Sequence, residues 1–199
     1  MPSTRPMTLP LRCRCGQVQG TVGTDHTYVR ATCYCKDCRA FAEWLGSPGL
    51  LDAAGGVDVV AMAPSQVRIT AGQDQVACMS LSERGIHRWY AACCRTPLGN
   101  MGRNPAIHYV GMSTACMEGA GPAVDDAFGP AGRCAINTGS ATAPVKKRPV
   151  AFAVGGLRIL LGLLAGKLRG LRGSPFYDVS KGRAQCQVVK AGSNGERHA

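Results

Sequence analysis

Residues 28–45 read YVRATCYCKDCRAFAEWL, and this stretch decides the fold class. Its first part alternates, with Val29 and Ala31 on one side and Arg30 and Thr32 on the other. That period of two suits a half-buried strand. The strand runs into Cys33, Cys35 and Cys38, three thiols within six residues. Lys36–Leu45 then suits a short helix, so the thiols sit where a strand hands over to a helix.

Outward from this point, short β-type runs fill the first 115 residues: 17–22, 57–60, 66–70, 75–81, 86–90 and 107–112, with Cys94–Leu98 turning into another strand. Turn signals separate them at Ser47-Pro48-Gly49, Gly55-Gly56, Ala71-Gly72 and Arg84-Gly85. Many short strands with such turns predict a mainly β domain of antiparallel strands. Residues 113–149 are poor in pattern, and 141–149 reads as a linker. The expected layout is a flexible N-terminus over 1–9, a zinc-binding β domain over 10–140, that linker, and a basic extension over 150–199.

The chain has 199 residues and 11 cysteines, seven of them in three tight clusters: Cys13/Cys15, Cys33/Cys35/Cys38 and Cys93–Cys94. An odd count leaves one thiol unpaired in a monomer, and Met1–Pro10 holds no apolar signal core. Both features favour metal ligation in a reducing cytoplasm over a disulfide framework. Thiolates are soft ligands suited to tetrahedral zinc, so one or two zinc ions are expected. Cys13 and Cys15 supply two ligands above Gly16, whose freedom permits a sharp turn, and Cys93–Cys94 is the evident source of the others. The Cys33/Cys35/Cys38 triplet offers three, the number a reacting zinc keeps. It becomes a closed site only if Cys78, Cys116, His87 or His108 joins it.

The net charge of +11 is unevenly placed. Residues 1–145 contain 12 Lys/Arg and 10 Asp/Glu, whereas residues 146–199 contain 11 and two. The tail therefore points to an anionic partner, nucleic acid or a membrane surface. Within it Leu157, Leu160, Leu161, Leu164, Leu168 and Leu171 share one face of a helix over about 155–172, with Arg158, Arg169 and Arg172 roughly opposite. A basic amphipathic helix of this kind is expected to dock on the β domain or on a partner rather than to cross a bilayer. The histidines form no metal-spaced pair. Trp44, Trp89 and Tyr90 read as core or pocket walls, and Cys78, Cys116, Cys134 and Cys186 as small buried apolar residues.

The order Cys-x-Cys-Gly, Cys-x-Cys-x-x-Cys, then a strand ending in Cys-x-Thr-Pro-Leu resembles the glutathione-dependent formaldehyde-activating (GFA) family, which includes centromere protein V. The likeness covers roughly residues 10–115. It implies a tent-like β fold, a structural zinc on Cys13, Cys15 and the later cysteines, and a catalytic zinc on Cys33, Cys35 and Cys38. It also implies carbon–sulfur lyase-type chemistry on a small thiol or thiol–aldehyde adduct, glutathione and formaldehyde in that family. The chain departs from the pattern in its later motif, Cys-x-x-Cys-Gly-Thr. Aligning Cys94-Arg95-Thr96 with its end puts Ala91 at the first cysteine and Arg95 at the glycine. Three outcomes stay open at the first site: Cys93 substitutes, three sulfurs combine with another ligand, or the site is lost. The alternative to an enzyme is a zinc-stabilised binding module working through its basic tail.

Overall fold

A computed structural model of the chain describes residues 7–117, 122–171, 173–178, 183–184 and 188–190. Cys186 and His198 lie outside them. The elements are β1 (Thr8–Arg12), β2 (Gln19–Gly23), β3 (Thr27–Cys33), α1 (Lys36–Trp44), β4 (Val57–Met62), β5 (Val67–Ala71), β6 (Val76–Ser80), β7 (His87–Ala91), β8 (Thr96–Met101), β9 (Val110–Ser113), α2 (Pro122–Phe128), β10 (Ala135–Ile136) and α3 (Pro149–Leu168). Short strands β11 (Tyr177–Asp178), β12 (Arg183–Ala184) and β13 (Val188–Lys190) follow. The protein is mainly β, as its alternating runs predict.

Two sheets enclose the main core. The smaller has strand order β1-β2-β5, and the larger has order β10-β3-β4-β9-β8-β7-β6-β13. Pairing is antiparallel within the larger sheet except at its two outer pairs, β10–β3 and β13–β6. Leu9, Leu11 and Val22 of the small sheet meet Val60, Trp89 and Met112 of the large one. β1 begins inside the stretch read as a flexible N-terminus. It carries Pro10, which has no N–H to give a ladder, and the fold accommodates it on an outer strand. α1 lies over the large sheet, where Phe41 and Leu45 pack with Met79 and Tyr90.

The C-terminal extension is less detached than its charge suggests. After α3 the chain returns to the core, where Phe176 and Tyr177 are buried with rings 5.3 and 5.7 Å from Trp89. The Tyr177 hydroxyl donates to Gly102 O at 2.6 Å and lies 2.6 Å from His87 Nδ1. Since its one proton goes to the carbonyl, His87 must donate through Nδ1–H, which leaves Nε2 buried and without a partner. Burial, and secondarily the charge of Arg103, lowers the His87 pKa below its ordinary 6.5. The unfolded chain then binds the proton more readily than the folded one, so stability is full above the unfolded pKa and falls as pH drops below it. Urea midpoints measured between pH 7.5 and 5 should decline in the wild type and decline less in His87→Gln.

α3 starts at Pro149 and ends at Leu168, earlier at both ends than the leucine pattern predicts, and Leu171 lies beyond it. It docks on the β domain, but not by the expected face. Its glycines meet the sheet: a Cβ at Gly162 would come within 2.3 Å of the Tyr28 ring, and Gly155 packs on Val29 and Cys134. Glycine lets the helix backbone approach β3 closely, Ile159 and Leu163 pack beside it with Tyr28 and Ala61, and Leu157, Leu160, Leu161, Leu164 and Leu168 are left facing outward.

Candidate metal centres

Four thiols converge at the rim between the two sheets. Cys13 and Cys15 follow β1, and Cys93 and Cys94 occupy the turn between β7 and β8. Their Sγ atoms are separated by 3.5 Å (Cys13–Cys15), 3.8 Å (Cys13–Cys93), 3.3 Å (Cys15–Cys93) and 3.9 Å (Cys93–Cys94). All four lie within 4.8 Å of one another. A tetrahedral zinc with bonds of about 2.3 Å sets its sulfurs about 3.8 Å apart, so the set fits one ion.

Local backbone explains the convergence. Gly16 sits at φ +80°, its N–H bonding to Cys13 O at 2.9 Å, and Val18 N–H donates to Cys13 Sγ at 3.2 Å. In the other turn, Ala91 O accepts from both Cys94 N–H (3.4 Å) and Arg95 N–H (2.7 Å). Arg95 takes the left-handed conformation, φ +57°, where the resembled motif has glycine. This corner places two adjacent thiols on the same side. Ala91 itself is buried in β7, paired with Val76 and Thr96. Where Ala91 offers no thiol, the turn does: Cys93 Sγ lies 3.8 Å from Cys13 Sγ and 3.3 Å from Cys15 Sγ. Arg14 N–H donates to Thr96 Oγ1 (2.9 Å), which lies 3.1 Å from Cys94 Sγ. Burial pushes the Cys94 thiol up, but the Thr96 hydroxyl and nearby backbone groups outweigh it and bring the thiol to about 6.

The second set holds three sulfurs. Cys33 ends β3, Cys35 caps α1, and Cys38 lies in its first turn. Cys35 Sγ is 2.9 Å from Cys38 Sγ, which is 3.7 Å from Cys33 Sγ. Cys38 N–H donates to Cys35 Sγ at 3.2 Å, an N-cap bond that also orients the ligand. β10 pairs in parallel with the end of β3, bringing Asn137 Nδ2 to 3.4 Å from Cys33 Sγ. Hydrogen bonds from the Cys35 and Cys38 thiols hold the Cys33 pKa well below its usual value, while the same contacts raise that of Cys38.

Among the described residues no fourth metal-binding side chain joins this set. The candidates are engaged elsewhere. Cys78 is buried in the core, and Cys116 Sγ lies 3.1 Å from Ser113 O. His87 bonds to Tyr177, and His108 Nε2 lies 3.3 Å from Ser65 Oγ. Arg39 donates to Tyr34 O and Ser140 O, while Lys36 stays exposed.

Two polar groups here escape the cysteine spacing. Asn137 is one, and only its position after a two-residue strand makes it a neighbour of Cys33. Arg88 is the other. It is 2% exposed and lines a small cleft with Cys38, Phe41 and Asn100. Its contacts are long: Asn100 Oδ1 at 3.3 Å, Asp37 Oδ2 at 3.8 Å and the Phe41 ring at 5.4 Å. Nothing in β7 marks it in the sequence, since an arginine between His87 and Trp89 reads as outward-facing. The two sets are joined structurally, because Arg95 of the Cys93–Cys94 turn donates to Trp44 O at the end of α1 and stacks on its ring.

Comparison with known proteins adds a family and little else. The model of a family of unknown function, DUF6151, matches residues 6–187. A solved structure of a Rhodobacter sphaeroides protein is similar at 20% identity and a TM-score of 0.41, covering 59% of this chain and 93% of that one. No curated protein matches.

Proposed function

The chain belongs to the DUF6151 family of unknown function, and from that premise we propose that this member is a zinc protein of GFA type, joining a small thiol to an aldehyde at Cys33, Cys35 and Cys38. One observation carries the reading: a three-sulfur set with no fourth ligand among the described residues, beside a separate set of four. Structural zinc sites are closed by four protein ligands, while reacting ones keep a position for substrate. Cys33, Cys35 and Cys38 would hold the zinc, which when bound would supply Lewis acidity that lowers the pKa of an incoming thiol.

The chain's own residues do the remaining work. Asn137 and the Cys38 N–H fix the orientation of Cys33 and Cys35, as outer hydrogen bonds to metal ligands do. Arg88, buried beside Cys38 with Asn100 Oδ1 at 3.3 Å and Asp37 Oδ2 at 3.8 Å, places a positive charge where the carboxylate of a glutathione-like thiol would be attracted. In the net reaction a bond forms between the thiol sulfur and the aldehyde carbon. The thiol proton ends on the former carbonyl oxygen, so neither oxidant nor reductant is consumed.

Zinc-loaded protein given glutathione and formaldehyde should form the hydroxymethyl adduct faster than the uncatalysed mixture. Cys35→Ser should fall to the background rate while keeping the zinc of the four-cysteine set. Unchanged turnover in folded Cys35→Ser protein would overturn the assignment. Two bound zincs with no turnover would favour the non-catalytic binding module.

A further inference from the structure

The outward face of α3 is a large apolar surface that no other element covers among the described residues. Val150, Val154, Leu157, Leu161, Leu164 and Leu168 step by four and three residues and so form one stripe. They are between 44% (Val154) and 88% (Leu168) exposed. Monomeric soluble proteins rarely expose so continuous a patch, and when they do it marks an interaction site. α3 is also the one helix among the described residues long and apolar enough to cross a membrane by length and composition.

The charges around the stripe choose its partner. Arg158 and Lys167 fall on opposite flanks of the leucines at 100° per residue, and Lys146, Lys147 and Arg148 precede the helix, with Arg169 and Arg172 after it. Between residues 127 and 177 there are eight Lys/Arg and not one Asp or Glu. A second copy would oppose these basic flanks with its own. The four-three spacing would suit a helix pair, but it lacks the acidic residues that pairing flanks use. A surface of anionic lipid meets both features at once, taking the leucines among its acyl chains and the flanking cations among its headgroups.

The fold also selects the mode of contact. Gly155 and Gly162 hold one face of α3 against Val29 and Tyr28, and Phe176 and Tyr177 anchor the following chain in the core. A helix held along its length by a β domain can lie in the membrane interface but cannot span it without leaving that domain. We propose that α3 is an in-plane docking surface for anionic membranes.

The test is co-sedimentation of the full zinc-loaded chain with vesicles of phosphatidylcholine alone or mixed with phosphatidylserine. Binding is expected on the mixed vesicles, weaker on the neutral ones and declining with salt. Leu161→Asp with Leu164→Asp should abolish it without loss of zinc. Arg158→Gln with Lys167→Gln should weaken it about fivefold for each charge removed. No binding to anionic vesicles would overturn the proposal. So would a dimer that the two leucine substitutions dissociate in the absence of vesicle binding, or a vesicle-bound fraction that resists alkaline carbonate extraction, the mark of a spanning segment.

Discussion

Replacing Cys94 with serine is expected to remove one equivalent of bound metal and to destabilise the fold severely. The four thiols come from two chain segments about 80 residues apart, one at the end of β1 and one at the tip of the β7–β8 hairpin. An ion held by them ties the small sheet to the large one. Structural zinc contributes roughly 10–16 kcal/mol of apparent binding free energy in small domains, which exceeds the net stability of about 5–15 kcal/mol that most domains possess. Losing one ligand forfeits enough of it to bring the folded state near its limit. Cys93→Ser should behave alike, because Cys93 Sγ lies within 3.8 Å of both Cys13 and Cys15. Cys35→Ser should leave the melting temperature almost unchanged, since the triplet joins only a strand end to the helix that follows it. Metal content and thermal unfolding of the three variants at one fixed zinc concentration make the comparison. Equal losses of stability at Cys94 and Cys35 would show that the four-cysteine set has no special structural role.

The ligand types were legible in the sequence because spacing alone brings Cys13 near Cys15 and gathers Cys33, Cys35 and Cys38. The Cys93–Cys94 doublet is legible as the source of the remaining ligands, but whether both adjacent thiols can face one ion is not, because that depends on a backbone corner. Arg95 adopts a conformation that disfavours every residue but glycine and a few polar ones, and no sequence pattern announces an arginine there. Strand alternation located β3 to within a residue and found β4 to β7 with small errors. It missed β1, whose Pro10 argues against a strand until an outer place in the sheet makes it acceptable. The orientation of α3 was hidden for a related reason. Its leucines give the stronger periodic signal, but its glycines decide which face can approach the sheet, and close approach is a property of the partner surface at Tyr28 and Val29. Arg30 likewise reads as the outward residue of an alternating strand, and its burial follows from acids more than 25 residues away.

Arg30→Met is expected to cost about 3 kcal/mol, in the range for breaking one side of a buried ion pair. The Arg30 guanidinium grips Asp58 with Nε and Nη2, at 3.0 and 2.7 Å to Oδ2. It reaches Asp125 and Gly129 O through Nη1 at 2.6 and 2.5 Å. Burial alone would lower its pKa, but the two carboxylates raise it, so the charge is held. Removing it leaves the Asp58 carboxylate, 23% exposed, with Thr114 Oγ1 at 3.1 Å as its remaining side-chain partner among the described residues. The more exposed Asp125 can return to water and contributes less. Arg30→Lys should recover only part of the loss, because an ammonium cannot reproduce the two-nitrogen fork on Asp58. Asp58→Asn in the Arg30→Met background should cost little more, since the stranded charge is gone. A double-mutant cycle by urea unfolding reads the coupling directly, and strictly additive losses would mean that the pair acts only through packing. The consequence reaches the triplet. Arg30 lies three residues before Cys33 and fixes β3 to β4 and α2, so Arg30→Met should weaken zinc retention by Cys33, Cys35 and Cys38 more than retention by the four-cysteine set, which rests on β1, β7 and β8.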